Sequence, residues 1–227
     1  MEKLNKVVKE LLYKKGASLV GFADVNNIPE SNLPFGIAVA VKVPIDIIKG
    51  IHNGPTKAYY ETYLTLNTKL DEIVRAGEVF LKEQGYHAVA QTTTVVSTNA
   101  DYRTSLPHKT VATAAGLGWI GKSALLVTKE FGSAVRLSSL LTDAPLSCSE
   151  PITTSSCGSC NQCTIACPGK AISGKLWEAR LDRDELFNLY ACRKRAKALS
   201  LERIGKEITL CGKCFEVCPY TKRYING

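Results

Sequence analysis

Residues 157–168 read CGSCNQCTIACP, and residues 211–219 read CGKCFEVCP. The first run spaces four cysteines by two, two and three residues and ends on a proline. This is the spacing of bacterial ferredoxins, in which three thiolates of a run hold one 4Fe–4S cluster and the fourth reaches the other. A cubane needs four thiolates converging from several directions, and one tight loop supplies only three. The spacing therefore predicts one cluster on Cys157, Cys160, Cys163 and Cys218. The other falls to Cys167, Cys192, Cys211 and Cys214, because the second run lacks one close-spaced cysteine and Cys192 alone is placed to fill the vacancy. Zinc ligands usually arrive as two separated pairs, which is not this pattern. Disulfides need an oxidising compartment, and the charged, amphipathic N-terminus MEKLNKVVKELLYKKG is no apolar signal segment. Cys148 lies outside both runs and reads as a small buried residue.

Working outward from the cysteines, the chain divides about two-thirds of the way along. It has 227 residues, and the first 147 hold no cysteine. They must bury an ordinary apolar core, and we expect one domain over 1–146 and a cluster domain over 147–227, joined by the Pro/Ser/Thr-rich stretch 145–156. The formal charge is +8. Eight coordinated thiolates and two oxidised cluster cores bring it to about +4. Such a balance suits an acidic protein or a nucleic acid without choosing between them. The densest basic stretch, Arg193 to Lys197, reads as a solvated helix face. No stretch is apolar enough for a membrane span, so a soluble, cytoplasmic protein is expected.

Apolar periodicity predicts a helix over 3–15, strands over 18–25 and 36–43, and a long helix over 56–84. A strand over 87–96, a short helix at 107–115 and strands over 123–128 and 134–141 follow. A single helix over 182–199 carries Cys192. This order suggests an α+β domain on a mixed or antiparallel sheet.

One further motif stands out. Gly116, Gly118 and Gly121 fall within GLGWIGK at 116–122. They mark a place where backbone approaches something closely or turns with positive φ. The motif follows a helix and leads into a strand, the reverse of the dinucleotide-binding order.

Together, GLGWIGK at 116–122, FGSAVRLSSLLTDAPL at 131–146, CGSCNQCTIACPGKAI at 157–172 and CGKCFEVCPYTK at 211–222 resemble the epoxyqueuosine reductases, cobalamin-dependent iron–sulfur enzymes of queuosine biosynthesis. The resemblance implies a nitroreductase-like α+β domain that binds base-off cobalamin. It also implies a ferredoxin-like domain whose two 4Fe–4S clusters pass electrons to the cobalt. Gly116, Leu117, Gly118, Trp119, Ile120, Gly121 and Lys122 would lie against the corrinoid. A ferredoxin or flavodoxin would supply the electrons.

Two departures from that family bear on function. The family carries an aspartate proton donor fourteen residues before the first glycine of GLGW. Tyr102 stands at that position here, with Asp101 one residue earlier. Either residue is a candidate acid, although a phenol with a pKa near ~10 is the weaker one at neutral pH; both also read as ordinary loop residues. His108 replaces an acidic residue. It is a candidate proton donor, corrinoid contact or axial ligand, and otherwise a solvent-facing histidine at a helix start. The second departure is at the end of the chain, where the family commonly continues into helical repeats that grip tRNA. Their absence from this sequence turns the expectation away from tRNA. A small molecule, a nucleoside or a corrinoid is then the expected substrate. Two other readings stay open: a corrinoid-reducing or cobalamin-processing accessory protein, and a plain ferredoxin-type carrier without cobalamin.

Overall fold

In the computed structural model, residues 1–28 and 30–227 are described. The elements run α1 (Glu2–Lys14), β1 (Leu19–Asp24), β2 (Phe35–Lys42), α2 (Ile45–Gly50), α3 (Lys57–Glu83), β3 (Ala88–Gln91), α4 (His108–Ala114), β4 (Trp119–Ile120), β5 (Leu126–Val127) and β6 (Val135–Thr142). Five helices follow: α5 (Gln162–Ala166), α6 (Arg183–Leu186), α7 (Leu189–Ile204), α8 (Lys213–Glu216) and α9 (Pro219–Asn226).

The chain forms two compact units that interleave in sequence. The first comprises Met1–Lys42, Thr65–Gly118 and Arg136–Ile152; the second comprises Val43–Leu64, Trp119–Val135 and Thr153–Gly227. The single division after residue 146 expected from composition is therefore not the division of contacts. Segments 43–64 and 119–135 contain no cysteine, so composition assigned them to the N-terminal half. Packing places them with the cysteine-rich tail: the Tyr59 ring meets Phe215 edge-on at 5.7 Å, and Trp119 meets Tyr220 at 4.9 Å.

The first unit is an α+β layer. Its four-stranded sheet has the order β1-β2-β6-β3. β1 and β2 pair antiparallel from Leu19↔Ala40 to Asp24↔Phe35, and β3 and β6 pair antiparallel from Ala88↔Thr142 to Gln91↔Ser139. β2 is buried along six consecutive residues, which explains its unbroken apolar run: a strand covered on both faces does not alternate. α1 packs on β1, and α4 crosses β1 and β2. Val8, Leu12, Ile37, Val39, Leu70, Ile73, Leu81 and Leu140 form the deepest core.

The predicted strand over 87–96 is cut to Ala88–Gln91. Beyond it, threonines divert the backbone. The Thr93 N–H and hydroxyl both donate to the Asp71 carboxylate, and the Val95 and Val96 N–H groups turn back to Thr92 O.

In the second unit, the strand predicted over 123–128 is a short hairpin instead. β4 and β5 pair Trp119↔Val127 and Ile120↔Leu126, and Gly121 N–H donates to Leu125 O to close the turn. The helix predicted over 182–199 is broken. Phe187 takes up an extended conformation and bridges Ile172. The Asn188 side chain then caps α7 by accepting from Ala191 N–H at 2.9 Å, the usual work of an N-cap residue. Among the described residues, no helix is long and apolar enough to cross a membrane.

Candidate metal centre

The cysteines of the second unit sit in the loops beside, or within, α5, α7, α8 and α9. Cys157 and Cys160 lie in the loop before α5, where Cys160 N–H donates to Cys157 O at 3.1 Å. Cys163 is inside α5, and Cys167 caps its C-terminus. Pro168 then forbids continuation of that helix. Cys192 is carried by α7, Cys214 by α8, and Cys218 precedes α9 at its N-cap, with Pro219 in the first turn. Proline is suited to that position because its missing N–H is unpaired there anyway. Each Cys-Pro pair thus ends or begins a helix at the thiol, which turns the chain and frees the sulfur.

All nine cysteines are free thiols, and their mutual influence separates eight of them into groups. Burial raises the Cys163 thiol, followed by the neighbouring charges of Cys157, Cys218 and Cys160. Cys192 is raised by burial and then by Cys167 and Cys211. Burial also raises Cys211, partly countered by a backbone hydrogen bond from Lys213, with Cys167 adding to the rise. Cys214 is pushed up furthest, first by burial and then by Cys211, Cys192, Cys163 and Cys167. The structure thus brings Cys157, Cys160, Cys163 and Cys218 together, and Cys167, Cys192, Cys211 and Cys214 together. Cys163 and Cys214 are the point where the groups meet.

These thiols do not close on a point. Among the described residues no three or more His, Cys, Asp or Glu side chains are set to hold a single metal ion. Four thiolates around one zinc would bring their sulfurs within about 3.8 Å of one another. The first group instead lines a cavity of about 210 Å³, together with Cys214 of the second group and with Gly121, Lys122, Ser133, Tyr220 and Arg223. Beside it Ser133 Oγ is buried with no hydrogen-bond partner. A thiol-lined hollow with an orphaned hydroxyl fits a polynuclear, sulfur-rich group better than a lone cation. On α8, two residues after Cys214, Glu216 is buried. Burial works to raise its carboxyl, but hydrogen bonds from Lys213 and then Lys222 outweigh it and hold the group below the usual carboxylate range.

The glycine motif has reasons of its own. Gly116 takes φ +69°, and a Cβ there would lie 3.0 Å from Glu150 O. At Gly121 a Cβ would lie 2.8 Å from Val127 Cγ2 and 3.6 Å from Cys157 Sγ. The chain's own atoms therefore require both glycines. Leu117 packs against Gly21 in the first unit, Ile120 pairs with Leu126, and Lys122 lies against the thiol-lined cavity. Trp119 is buried, with its indole N–H unpartnered.

The candidate acids lie in the first unit. Asp101 and Tyr102 belong to an exposed turn organised by Asn99, whose Oδ1 accepts from Asp101 N–H at 3.0 Å and from Arg103 N–H at 2.9 Å. Tyr102 adopts φ +56°, an uncommon conformation for a bulky residue. His108 begins α4 as expected, but it is half-buried and does not simply face solvent. Its Nδ1 lies 2.9 Å from Ser139 Oγ. Burial, then Arg136, lowers its pKa to about 4, with Asp71 acting in the opposite sense. At neutral pH it is an uncharged imidazole. No local pattern marks this contact, because it crosses from α4 to β6. Cys148 also departs from expectation: it is exposed. It sits on a surface segment tethered by Ser147 N–H to Asn5 Oδ1 and Ser149 N–H to Phe22 O. Ser133 and Tyr220 escaped sequence reasoning altogether, since a serine in a turn and a tyrosine after a proline carry no distinctive pattern.

Residues 156–221 match the 4Fe–4S double cluster binding domain family. An epoxyqueuosine reductase of Lactococcus garvieae is 33% identical over 159 residues, covering 69% of this chain and 41% of that protein. The chain is related to the epoxyqueuosine reductases. It spans less than half the length of that relative. In three dimensions it is similar to a reductive dehalogenase whose structure bears on B12-dependent dehalogenation, with a TM-score of 0.71 at 16% identity over 94% of this chain and 31% of that one. It is also similar to an epoxyqueuosine reductase solved with an epoxyqueuosine-modified tRNA-Tyr stem loop. There the TM-score is 0.64 at 22% identity, over 97% of this chain and 66% of that one. At these identities the likeness is one of fold, and it agrees with the α+β class read from the sequence. The tail is thus an iron–sulfur domain of the double-cluster type on an epoxyqueuosine reductase-like chain.

Proposed function

We propose that this chain is an iron–sulfur oxidoreductase that passes electrons through two 4Fe–4S clusters to a base-off corrinoid. One cluster is held by Cys157, Cys160, Cys163 and Cys218, and the other by Cys167, Cys192, Cys211 and Cys214. The observation that carries this reading is the sorting of eight thiols into two groups of four that meet at Cys163 and Cys214. Such an arrangement suits one-electron transfer from cluster to cluster. A ferredoxin or flavodoxin is the proposed donor. The corrinoid would supply a low-valent cobalt centre, chemistry that no side chain provides. Its support is kinship with the epoxyqueuosine reductases and the B12-dependent fold relative.

The proposed contact is the backbone of 116–122. Tyr102 or Asp101 is proposed as the proton donor, on its position relative to GLGW. His108, uncharged at neutral pH, is proposed as a neutral contact and not as an acid.

A second reading, a ferredoxin-type electron carrier without corrinoid, is favoured by one observation: Gly116 and Gly121 are filled in by the protein itself. Anaerobic reconstitution with iron, sulfide and cobalamin separates the two. Retention of cobalamin after desalting, with the visible spectrum of the base-off form, is the result expected. Loss of all cobalamin leaves the carrier. If cobalamin is retained, an epoxyqueuosine-containing stem-loop is the substrate to try first, and Tyr102→Phe and Asp101→Asn test the acid. Turnover undiminished in both variants would remove these residues from the proton-transfer role.

A further inference from the structure

Lys122 is more than nine-tenths buried. Its side chain lines the same cavity as Cys157, Cys160, Cys163 and Cys218. No carboxylate pairs with it among the described residues. Across the cavity, Ser133 is 4% exposed, and its hydroxyl has no partner. The residue is nonetheless held in place: its backbone N–H donates to Thr221 Oγ1 at 3.1 Å. One cationic side chain and one hydroxyl donor thus border a hollow lined by five cysteines, with Arg223 as the other cation in its lining. The Ser133 hydroxyl lacks an acceptor from the protein, and a thiolate-bound cluster offers one to it and to the Lys122 ammonium.

We infer that Lys122 and Ser133 set the reduction potential of the cluster held by Cys157, Cys160, Cys163 and Cys218. The inference rests on the cluster reading above and adds which of the two clusters is the electron's preferred station. A thiolate-ligated cubane carries net negative charge in its oxidised form, and it gains one more negative charge on accepting one electron from a low-potential donor. A fixed ammonium beside it stabilises the reduced form more than the oxidised form. So does a hydroxyl that donates to sulfur, since hydrogen bonds to the sulfurs and local charge are among the determinants of cluster potential. No proton or ligand changes place in this step. Lys122 is therefore a positioning residue for charge on the cluster, and its place in GLGWIGK is explained without reference to a flat ring.

The test is an EPR-monitored redox titration of the reconstituted, full-length protein, with dithionite as reductant and iron measured on each sample. The step that disappears in Cys157→Ala identifies the cluster concerned. In Lys122→Gln, that step should move to lower potential by at least a tenfold change in the oxidised-to-reduced ratio at fixed poise, which is 59 mV for one electron. The other step should stay in place. Lys122→Arg should keep the wild-type value. Ser133→Ala should shift the same step in the same direction by less. If Lys122→Gln takes up too little iron to titrate, Ser133→Ala carries the test alone, because it removes one atom from a residue anchored through its backbone. Full iron with both steps unmoved in the variants overturns the inference while leaving the clusters standing. A wild-type protein without two titrating clusters overturns the cluster reading itself.

Discussion

In the sheet-bearing unit, Leu12, Ile37, Leu70, Ile73, Leu81 and Leu140 are wholly or almost wholly removed from water. From residue 153 onward, Leu186, Leu199, Ile204, Leu210 and Phe215 keep between 3% and 8% exposure, and the local helices α5, α6 and α8 have only five, four and four residues. Isolated helices of that length are unstable in water. The first unit has a core of its own, whereas the tail has short helices wound around thiols. What the difference teaches is where the free energy of ordering would come from: apolar burial in the sheet-bearing unit, and, on the cluster reading, bonds to a metal group in the tail from residue 153 onward.

Removing the iron should therefore give the largest effect. Chelation under mild oxidation, or Cys163→Ala, is expected to abolish hydrogen-exchange protection over residues 153–227, a loss on the order of 10 kcal/mol if the clusters act like structural metal sites. The strands β1, β2, β3 and β6 should remain protected. A tail that keeps its protection without iron breaks the comparison. The reciprocal change is Leu140→Ala. Truncating a fully buried leucine costs roughly 2–5 kcal/mol, so the urea midpoint of the sheet unit should fall while the iron content is unchanged.

A pH experiment sharpens the contrast, because His108 lies in the sheet unit. Its pKa is about 4 in the folded state and about 6.5 when unfolded. The unfolded chain therefore binds the proton first as pH falls. The stability that comes from keeping this ring neutral is complete above about pH 6.5 and is lost progressively down to about pH 4, by at most about 3 kcal/mol. Urea titrations at pH 7 and pH 5 should differ less in His108→Asn than in the wild type; an equal difference would contradict the burial. Asn188→Ala is expected to have the smallest effect. Loss of the α7 cap costs about 1 kcal/mol and should loosen the helix that carries Cys192, seen as faster amide exchange in its first turn.

How far these features were legible in the sequence follows the range of the interactions behind them. The strand at 35–42 and the helix at 57–83 were visible because periodicity and apolar runs are local. The thiol groups were visible because a cubane dictates its own ligand spacing. The strand at 88–91 was overextended because Thr92, Thr93 and Thr94 favour strands intrinsically, and only the arrival of Asp71 from α3 turns them aside. The single helix expected across 182–199 missed Phe187, whose extended conformation depends on pairing with Ile172. Likewise, the role of Gly121 is set by Val127 and Cys157, and the burial of His108 by Ser139. Contacts between residues distant in sequence decided most of these: Asp71 lies 22 residues from Thr93 and Ser139 lies 31 from His108.

The most direct test of the cluster account is the count of iron and acid-labile sulfide per chain, taken with EPR of the reduced protein, in the wild type, Cys157→Ala and Cys192→Ala. About eight irons and eight sulfides are expected in the wild type, with each variant losing the signal of one cluster and keeping the other. Zinc without labile sulfide, or a Cys192→Ala protein that retains both signals, would contradict it.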